Sequence, residues 1–398
     1  MIVYLISSNK GINTGKGGHY YSLMTIAEEM SKKEKVILIN IGNIKAQALE
    51  KYNGELIYLK SEYYNIFSIL WKLFNLFKEA DIKAIHSFDK HSIFYGRVIS
   101  MILGVPLFCT KCGGPSYDSK SNFLSRYYPK IKNQTVFHSD DLYYFKKKDC
   151  LESLHLISGR VKIDIRNVKM SREIETFFFD AEIKFMRICR IGEFYFSTIE
   201  SIINLLEKQL VINSHSKLLI IGHVEDKKYM TQLNNIIIGK NLKDKVLILT
   251  DSYHTLEASK FLHYSNVVLG TGRSFMEAAA YGHIMFAPIK NSLYPALVTS
   301  KNIDEFEQNN FSTRTTLNKN TDFLSNQIYW MNIINNQFDN SSYQVWIKKQ
   351  FESKYNIESA LKDYCELYKK IRNKELFSFD LILNFFIQEI YLIIKWFR

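Results

Sequence analysis

Val267-Val268-Leu269-Gly270-Thr271-Gly272-Arg273-Ser274-Phe275-Met276-Glu277-Ala278-Ala279-Ala280-Tyr281-Gly282 reads as a buried strand, a glycine-rich turn and a short helix closed by glycine. Gly270 and Gly272 have no side chains in the way, so the turn can bring backbone N–H groups close to a ligand. The helix that follows points its positive end at the same spot. Glu277 is expected in the first helical turn, where a carboxylate can accept from sugar hydroxyls. Arg273 suits phosphate, and Thr271 and Ser274 complete a candidate pocket for a nucleotide-linked sugar. A second reading stays open beside this one. Ser274 and Glu277 have the S-x-x-E spacing of a capping box, in which Glu277 serves only its own helix and Arg273 is a surface charge.

Working outward, the first half alternates strands and helices. Ile2–Ile6, Val36–Ile39, Leu56–Leu59, Ala84–His86, Val105–Cys109 and Thr135–His138 are apolar runs of strand length. Leu23, Ile26, Ala27 and Met30 fall at i, i+3, i+4, i+7 and mark a helix. The second half repeats the plan, with strands expected at Phe185–Cys189, Leu218–Ile221 before Gly222, Val246–Leu249, Asn266–Leu269 and Ile284–Ala287. Ile199, Ile202, Ile203 and Leu206 mark another helix. Continuous apolar runs between amphipathic helices imply parallel sheets covered on both faces. The join is expected in the polar segment Lys162–Thr176, and the pattern from Tyr343 to Arg372 is helical.

The chain has 398 residues, which suits two domains, and its 46% apolar content can fill two cores. The formal net charge of +12 points to an anionic partner. Zinc-finger spacing, an RNA-binding aromatic signature and a lysine-rich helix are all missing from the sequence, so nucleic acid is not expected. Five widely spread cysteines argue against a disulfide framework and for a reducing compartment. Cys109 and Cys112 form a C-x-x-C with no second pair, and no metal site is expected. Met1-Ile2-Val3-Tyr4-Leu5-Ile6 reads as a first strand rather than a signal peptide.

Gly15-Lys16-Gly17-Gly18 opens the first helix and can form an anion-binding nest or a plain glycine turn. It is not a Walker A loop: counted from Gly11, the lysine falls one position early and Gly17 stands where Ser or Thr is required. Arg190 ends a strand at the edge where ligands bind in open α/β sheets, and can equally be a solvated arginine. His86, His91 and His138 are scattered without metal spacing, and Asp140-Asp141 reads as a helix start. The sequence shows neither a nucleophile elbow nor a Cys/His nucleophile signature.

Together these pieces resemble the retaining family-4 glycosyltransferases of the GT-B fold, from Met1 to about Arg372. Gly17-Gly18 looks like that family's double-glycine loop. Ile85-His86-Ser87-Phe88-Asp89 resembles its "vHaHd" segment. Gly104-Val105-Pro106-Leu107 followed by Thr110-Lys111-Cys112-Gly113-Gly114 resembles "giPlv.T.HG". Ile157-Ser158-Gly159-Arg160-Val161 looks like "iPNgV", Cys189-Arg190-Ile191 like "GRl", Leu219-Ile220-Ile221-Gly222 like "l.ivG", and Glu277-Ala278 like the final "EA" of Glu-x7-Glu.

The resemblance implies two Rossmann-like domains facing across a cleft: 1–168 on the acceptor side, 169–374 binding the nucleotide sugar, with the last helices able to pack back on the first domain. It implies that Glu277 holds the ribose hydroxyls and Arg190 steadies the diphosphate leaving group, both as catalytic residues. Gly17, Gly18, Gly222, Gly270, Thr271, Gly272, Arg273 and Ser274 are then donor-binding, and Lys16, His86, Asp89, Cys112 and Gly113 lie on the acceptor side. Departure of the diphosphate would be helped electrostatically, with no metal and no cofactor beyond the nucleotide-sugar co-substrate. Three positions depart from the family: Leu269 where a glutamate is expected, Tyr195 where a lysine is expected, and Cys112 where a histidine is common. Arg273 can supply the missing positive charge.

Residues 375–398 are nearly all apolar, with Asp380, Asn384 and Gln388 every fourth residue, so a helix there carries one narrow polar stripe. This pattern, with Glu389, favours an interfacial amphipathic helix over a packed or a spanning one. The expected protein is a glycosyltransferase of surface-polysaccharide, capsule or lipopolysaccharide synthesis. It acts on a lipid-linked or oligosaccharide acceptor, peripheral on the inner face of the cytoplasmic membrane. The alternatives are a GT-B-shaped binding or scaffolding subunit that has lost catalysis and, more weakly, a nucleotide-sugar epimerase.

Overall fold

Ile2–Ser8 forms β1, and every one of its residues is buried. A run without alternation is what a strand covered on both faces requires. The computed structural model describes residues 1–9, 15–62, 65–112, 132–146, 153–317 and 340–371, together with the helical positions Phe386 and Ile390. It divides into two compact units: Met1–Arg160 with the chain from Asn356 onward, and Val161–Tyr355.

In the first unit β1 is followed by α1 (Gly18–Ser31), β2 (Val36–Gly42), β3 (Glu55–Lys60), α2 (Ile66–Phe77), β4 (Ala84–Ser87), α3 (Lys90–Leu103), β5 (Leu107–Lys111), β6 (Asn133–Val136), α4 (Ser139–Lys146) and β7 (Ser153–Leu156). The seven strands lie in the order β3-β2-β1-β4-β5-β6-β7, and all neighbours are parallel. Leu23, Ile26, Ala27 and Met30 of α1 are all wholly buried, which is the face the periodicity selects.

The second unit runs α5 (Arg172–Phe177), β8 (Ile183–Ile188), α6 (Glu193–Leu210), β9 (Ser216–Ile221), α7 (Lys227–Gly239), β10 (Val246–Leu249), α8 (Ser252–Thr255), β11 (Val267–Leu269), α9 (Arg273–Tyr281), β12 (Ile284–Ala287), β13 (Ala296–Leu297) and α10 (Ile303–Gln308). Its sheet order is β10-β9-β8-β11-β12-β13, parallel except for β13 on β12. Both units therefore share one plan. The order reverses beside the first strand, between β1 and β4 and between β8 and β11, and such a switch point opens a crevice at the C-terminal strand ends.

The same local device recurs in both units, on the other side of the first strand. A Cβ on Gly42, at the end of β2, would lie 1.8 Å from the Ser8 carbonyl oxygen, and one on Gly222, after β9, would lie 1.7 Å from the Cys189 oxygen. Only glycine lets these strand ends close together.

After a helix at Asn340–Gln350 the chain returns to the first unit. The return helix, Ile357–Lys370, buries Ile357, Ala360, Leu361, Tyr364, Leu367 and Tyr368. Its Tyr368 hydroxyl lies 3.2 Å from that of Tyr4 and 2.6 Å from His86 Nδ1, while His86 Nε2 lies 2.7 Å from Thr110 Oγ1. Thr110 is bonded in turn to Thr135. A buried polar chain thus crosses β1, β4, β5 and β6 beneath this helix.

Some boundaries differ from the sequence reading. β5 begins at Leu107 rather than Val105, because Gly104 closes α3 in the left-handed conformation and Pro106 follows. β6 begins at Asn133 because its first three residues are polar yet buried. The expected tail helix over 375–398 lies outside the described residues except at Phe386 and Ile390. Among the described residues no helix is long and apolar enough to cross a membrane.

Candidate functional site

The switch point of the second unit gathers the candidate donor residues. β11 ends at Leu269, and the chain turns sharply enough that a Cβ on Gly270 would lie 2.4 Å from the Phe275 Cα. Gly272, at φ 51° and ψ −123°, holds a backbone conformation that suits only glycine, and it is the N-cap of α9. The turn's own amides are bonded within the protein. Gly270 N–H donates to the Phe286 oxygen (2.9 Å), Thr271 N–H to Ser274 Oγ (3.1 Å) and Gly272 N–H to the Asn310 oxygen (2.9 Å). The expectation that these glycine amides face a ligand is corrected accordingly. What the turn can present is side chains and the start of α9.

The capping-box reading of Glu277 is also corrected. The N-cap is Gly272, so Ser274 is already inside the helix and Glu277 lies in its second turn. Ser274 Oγ donates to the Thr271 oxygen at 3.0 Å and so steadies the turn. Glu277 Oε1 accepts from Arg273 Nε at 2.7 Å, with both side chains about one-eighth exposed, at 12% and 13%. Burial pushes the Glu277 carboxyl above the usual carboxylate range, against the pull of the adjacent guanidinium.

Arg190 follows β8. Its Nη1 is paired with Glu225 Oε1, and its guanidinium lies 5.2 Å from the centre of the Tyr195 ring. Burial would lower its pKa, but Tyr195 and Glu225 outweigh it and hold the group above the ordinary arginine value. Glu225 sits over the start of α6, where a Cβ on the N-cap Gly192 would meet its Oε2 at 2.7 Å. Tyr195, in the position of the family's lysine, is therefore an aromatic neighbour of a cation. Gly222 is accounted for by its closeness to the Cys189 carbonyl, a structural demand independent of any ligand.

Arg187 was not singled out from the sequence. It lies in β8 opposite Leu269 of β11 and is wholly buried. Nη1 donates to the Leu269 oxygen (2.9 Å) and Thr271 Oγ1 (3.3 Å), and Nη2 to Thr198 Oγ1 (2.8 Å) and Thr271 Oγ1 (3.3 Å). The available signal was a charge inside the otherwise apolar run Phe185–Cys189, where both strand faces are covered.

In the first unit the acceptor-side expectations fare differently. Gly17 is the N-cap of α1, Gly18 is exposed at its first position, and Lys16 is half-buried just before them. Asp89 is committed internally: its carboxylate accepts from Ser7 N–H (2.5 Å), Ser7 Oγ (2.6 Å) and the His91 and Ser92 amides (both 2.9 Å), tying β1 to the start of α3. His86 has both ring nitrogens bonded in the core, and burial pushes its pKa down to about 3. Asp89 and His86 are thus both bonded within the first unit. Cys112 Sγ donates to the Phe88 oxygen at 3.2 Å, and burial raises its thiol pKa. Gly113 and Gly114 lie outside the described residues. Asp141, at the start of α4, pairs with buried Lys111 and lies 3.0 Å from His138 Nε2. Among the described residues no group of His, Cys, Asp and Glu could hold a metal ion.

No protein-family model matches the sequence, and no curated protein matches it either. Solved structures match over nearly the whole chain. HepE of Anabaena in complex with UDP is similar with a TM-score of 0.64 at 14% identity, covering 93% of this chain and 100% of that one. A glycosyltransferase from Rickettsia africae gives a TM-score of 0.62 at 13% identity, over 92% and 98% of the two chains. The lipopolysaccharide outer core galactosyltransferase WaaB, in its apo form, gives 0.56 at 13%, over 93% and 100%. The chain has the GT-B fold. Within a GT-B protein, Arg187, Arg190, Thr271, Arg273 and Glu277 belong to the second Rossmann-like unit, at or beside its switch point.

Proposed function

We propose that this chain is a glycosyltransferase, with retention, that takes a nucleoside-diphosphate sugar at the β8/β11 corner of its second unit. The observation that carries this reading is that Arg190 and the Thr271 turn with Glu277 follow the neighbouring strands β8 and β11 at the switch point of the second unit. Glu277, held by Arg273, is suited to accept hydrogen bonds from ribose hydroxyls. Arg190 is suited to the diphosphate, where a guanidinium can bond two oxygens at once. Stabilising that charge as it leaves lowers the barrier to breaking the sugar–phosphate bond, and the role needs no metal ion or further cofactor. HepE binds UDP, and its resemblance in fold supports a nucleotide as ligand. The donor set comprises Thr271, Arg273 and Ser274 beside Glu277 and Arg190, all within Val161–Tyr355.

The acceptor we propose is a lipid-linked or oligosaccharide chain at the inner membrane surface. The net charge of +12 and the apolar 375–398 segment support it. Incubating the full chain with membrane lipid extract and a panel of UDP-, GDP- and dTDP-sugars tests the proposal. Release of one nucleoside diphosphate with a glycosylated product supports it, and release of none with any donor refutes it.

A further inference from the structure

Arg187 has the largest wholly buried side chain among the described residues. Its hydrogen-bond partners are one backbone carbonyl and two threonine hydroxyls, and the Cys189 thiol, which burial keeps protonated, also lies in hydrogen-bond contact with it. Its Nε has no hydrogen-bond partner, and among the described residues no carboxylate forms an ion pair with it. The two carboxylates of this corner are each held by another arginine, Glu225 by Arg190 and Glu277 by Arg273. A buried cation among neutral partners is costly.

The position of this charge is specific. Both Nη atoms reach Thr271 Oγ1, and Nη1 reaches the Leu269 carbonyl, so the guanidinium braces the end of β11 and the turn that leads into α9. Nη2 reaches Thr198 on α6, and the guanidinium lies 6.0 Å from the Tyr195 ring, whose other side of contact is Arg190. A fixed charge held beneath a helix start in low dielectric adds to the field of that helix.

We infer that Arg187 is a positioning residue of this corner, a buried cation that sets the Thr271 turn and makes the site selective for a diphosphate over an uncharged ligand. It supplies a charge beside Tyr195, the position where the resembled family carries a lysine. The inference takes its location from the proposed donor site, but its chemistry asks only for an anion.

Inorganic pyrophosphate, titrated against thermal unfolding of the full chain, separates the two. A ligand of the folded state raises Tm by mass action. Pyrophosphate is expected to raise the wild-type Tm. Arg187→Met is expected to weaken pyrophosphate at least about tenfold, the loss of one charge-assisted contact, at a temperature where both proteins are folded. Arg187→Lys, which keeps the charge, should recover part of that binding. A merely structural arginine would instead leave the pyrophosphate affinity alone in Arg187→Met. That result, or a wild type that does not respond to pyrophosphate, overturns the inference. If pyrophosphate follows Arg187 while no nucleotide sugar binds, the inference stands and the donor reading falls. If nucleotide sugars bind and Arg187→Met leaves both ligands untouched, the donor reading stands and the inference falls.

Discussion

Arg273 Nε and Glu277 Oε1 lie 2.7 Å apart across one turn of α9, and this pair takes Glu277 out of the helix-capping role its spacing suggests. Glu277→Gln should therefore leave stability nearly unchanged, because no helix amide loses a partner. Nucleotide affinity should fall by roughly 1–3 kcal/mol, the cost of a lost hydrogen bond to a charged group. Calorimetry with the bound nucleotide, beside a melting curve, checks both halves. Unchanged affinity with reduced stability would return Glu277 to a structural role.

Gly222 and Gly42 predict a matched pair of defects. A methyl group at either would strike a backbone oxygen, of Cys189 or Ser8, at under 2 Å. Gly222→Ala and Gly42→Ala should each destabilise by about 1–3 kcal/mol or more, as overpacking does. Urea denaturation measures this. A Gly222→Ala variant of wild-type stability that binds nucleotide poorly would make Gly222 a ligand contact after all.

His86 makes stability fall in mild acid. Its folded pKa, pushed down to about 3 by burial, lies below the ordinary 6.5, so the unfolded chain takes up a proton that the folded chain refuses. The stabilisation is complete above pH 6.5 and is lost as pH falls below it, by up to about 1.4 kcal/mol per pH unit. His283, lowered to about 4 by burial, adds in the same direction. Denaturation midpoints measured from pH 7 to 5 should drop. In His86→Gln the slope should be shallower by one proton. An identical slope in that variant would show that His86 does not titrate this way.

The frame of the fold was legible in the sequence because parallel strands leave a plain mark. Val246–Leu249 and Ile284–Ala287 form strands over the same residues as their apolar runs. The polar start of β6, Asn133-Gln134, was illegible because buried hydrogen bonds rather than apolar side chains hold it in the sheet. At the site, Gly270–Gly272 and Arg190 were found from turn chemistry and strand ends. The sequence cannot tell half-buried Asp89, which caps α3, from His86, which is bonded inside the core. Arg187 passed unnoticed since its meaning depends on partners, Thr198 and Thr271, far away along the chain.

Deleting the chain after Arg372 should free the protein from membranes while preserving nucleotide binding, because the proposed donor corner lies wholly in Val161–Tyr355. Flotation with anionic vesicles compares the two forms. Full-length protein that stays entirely unbound would remove the 375–398 segment as an anchor.

The most direct test of the donor site is calorimetric titration of the full chain with UDP, GDP and dTDP and their sugars, repeated on Arg190→Ala with the same nucleotide and its nucleoside. One nucleotide class should bind, and Arg190→Ala should weaken the diphosphate by about tenfold or more while the nucleoside is hardly changed. No binding by any of the three classes, or equal losses for diphosphate and nucleoside, would contradict the account.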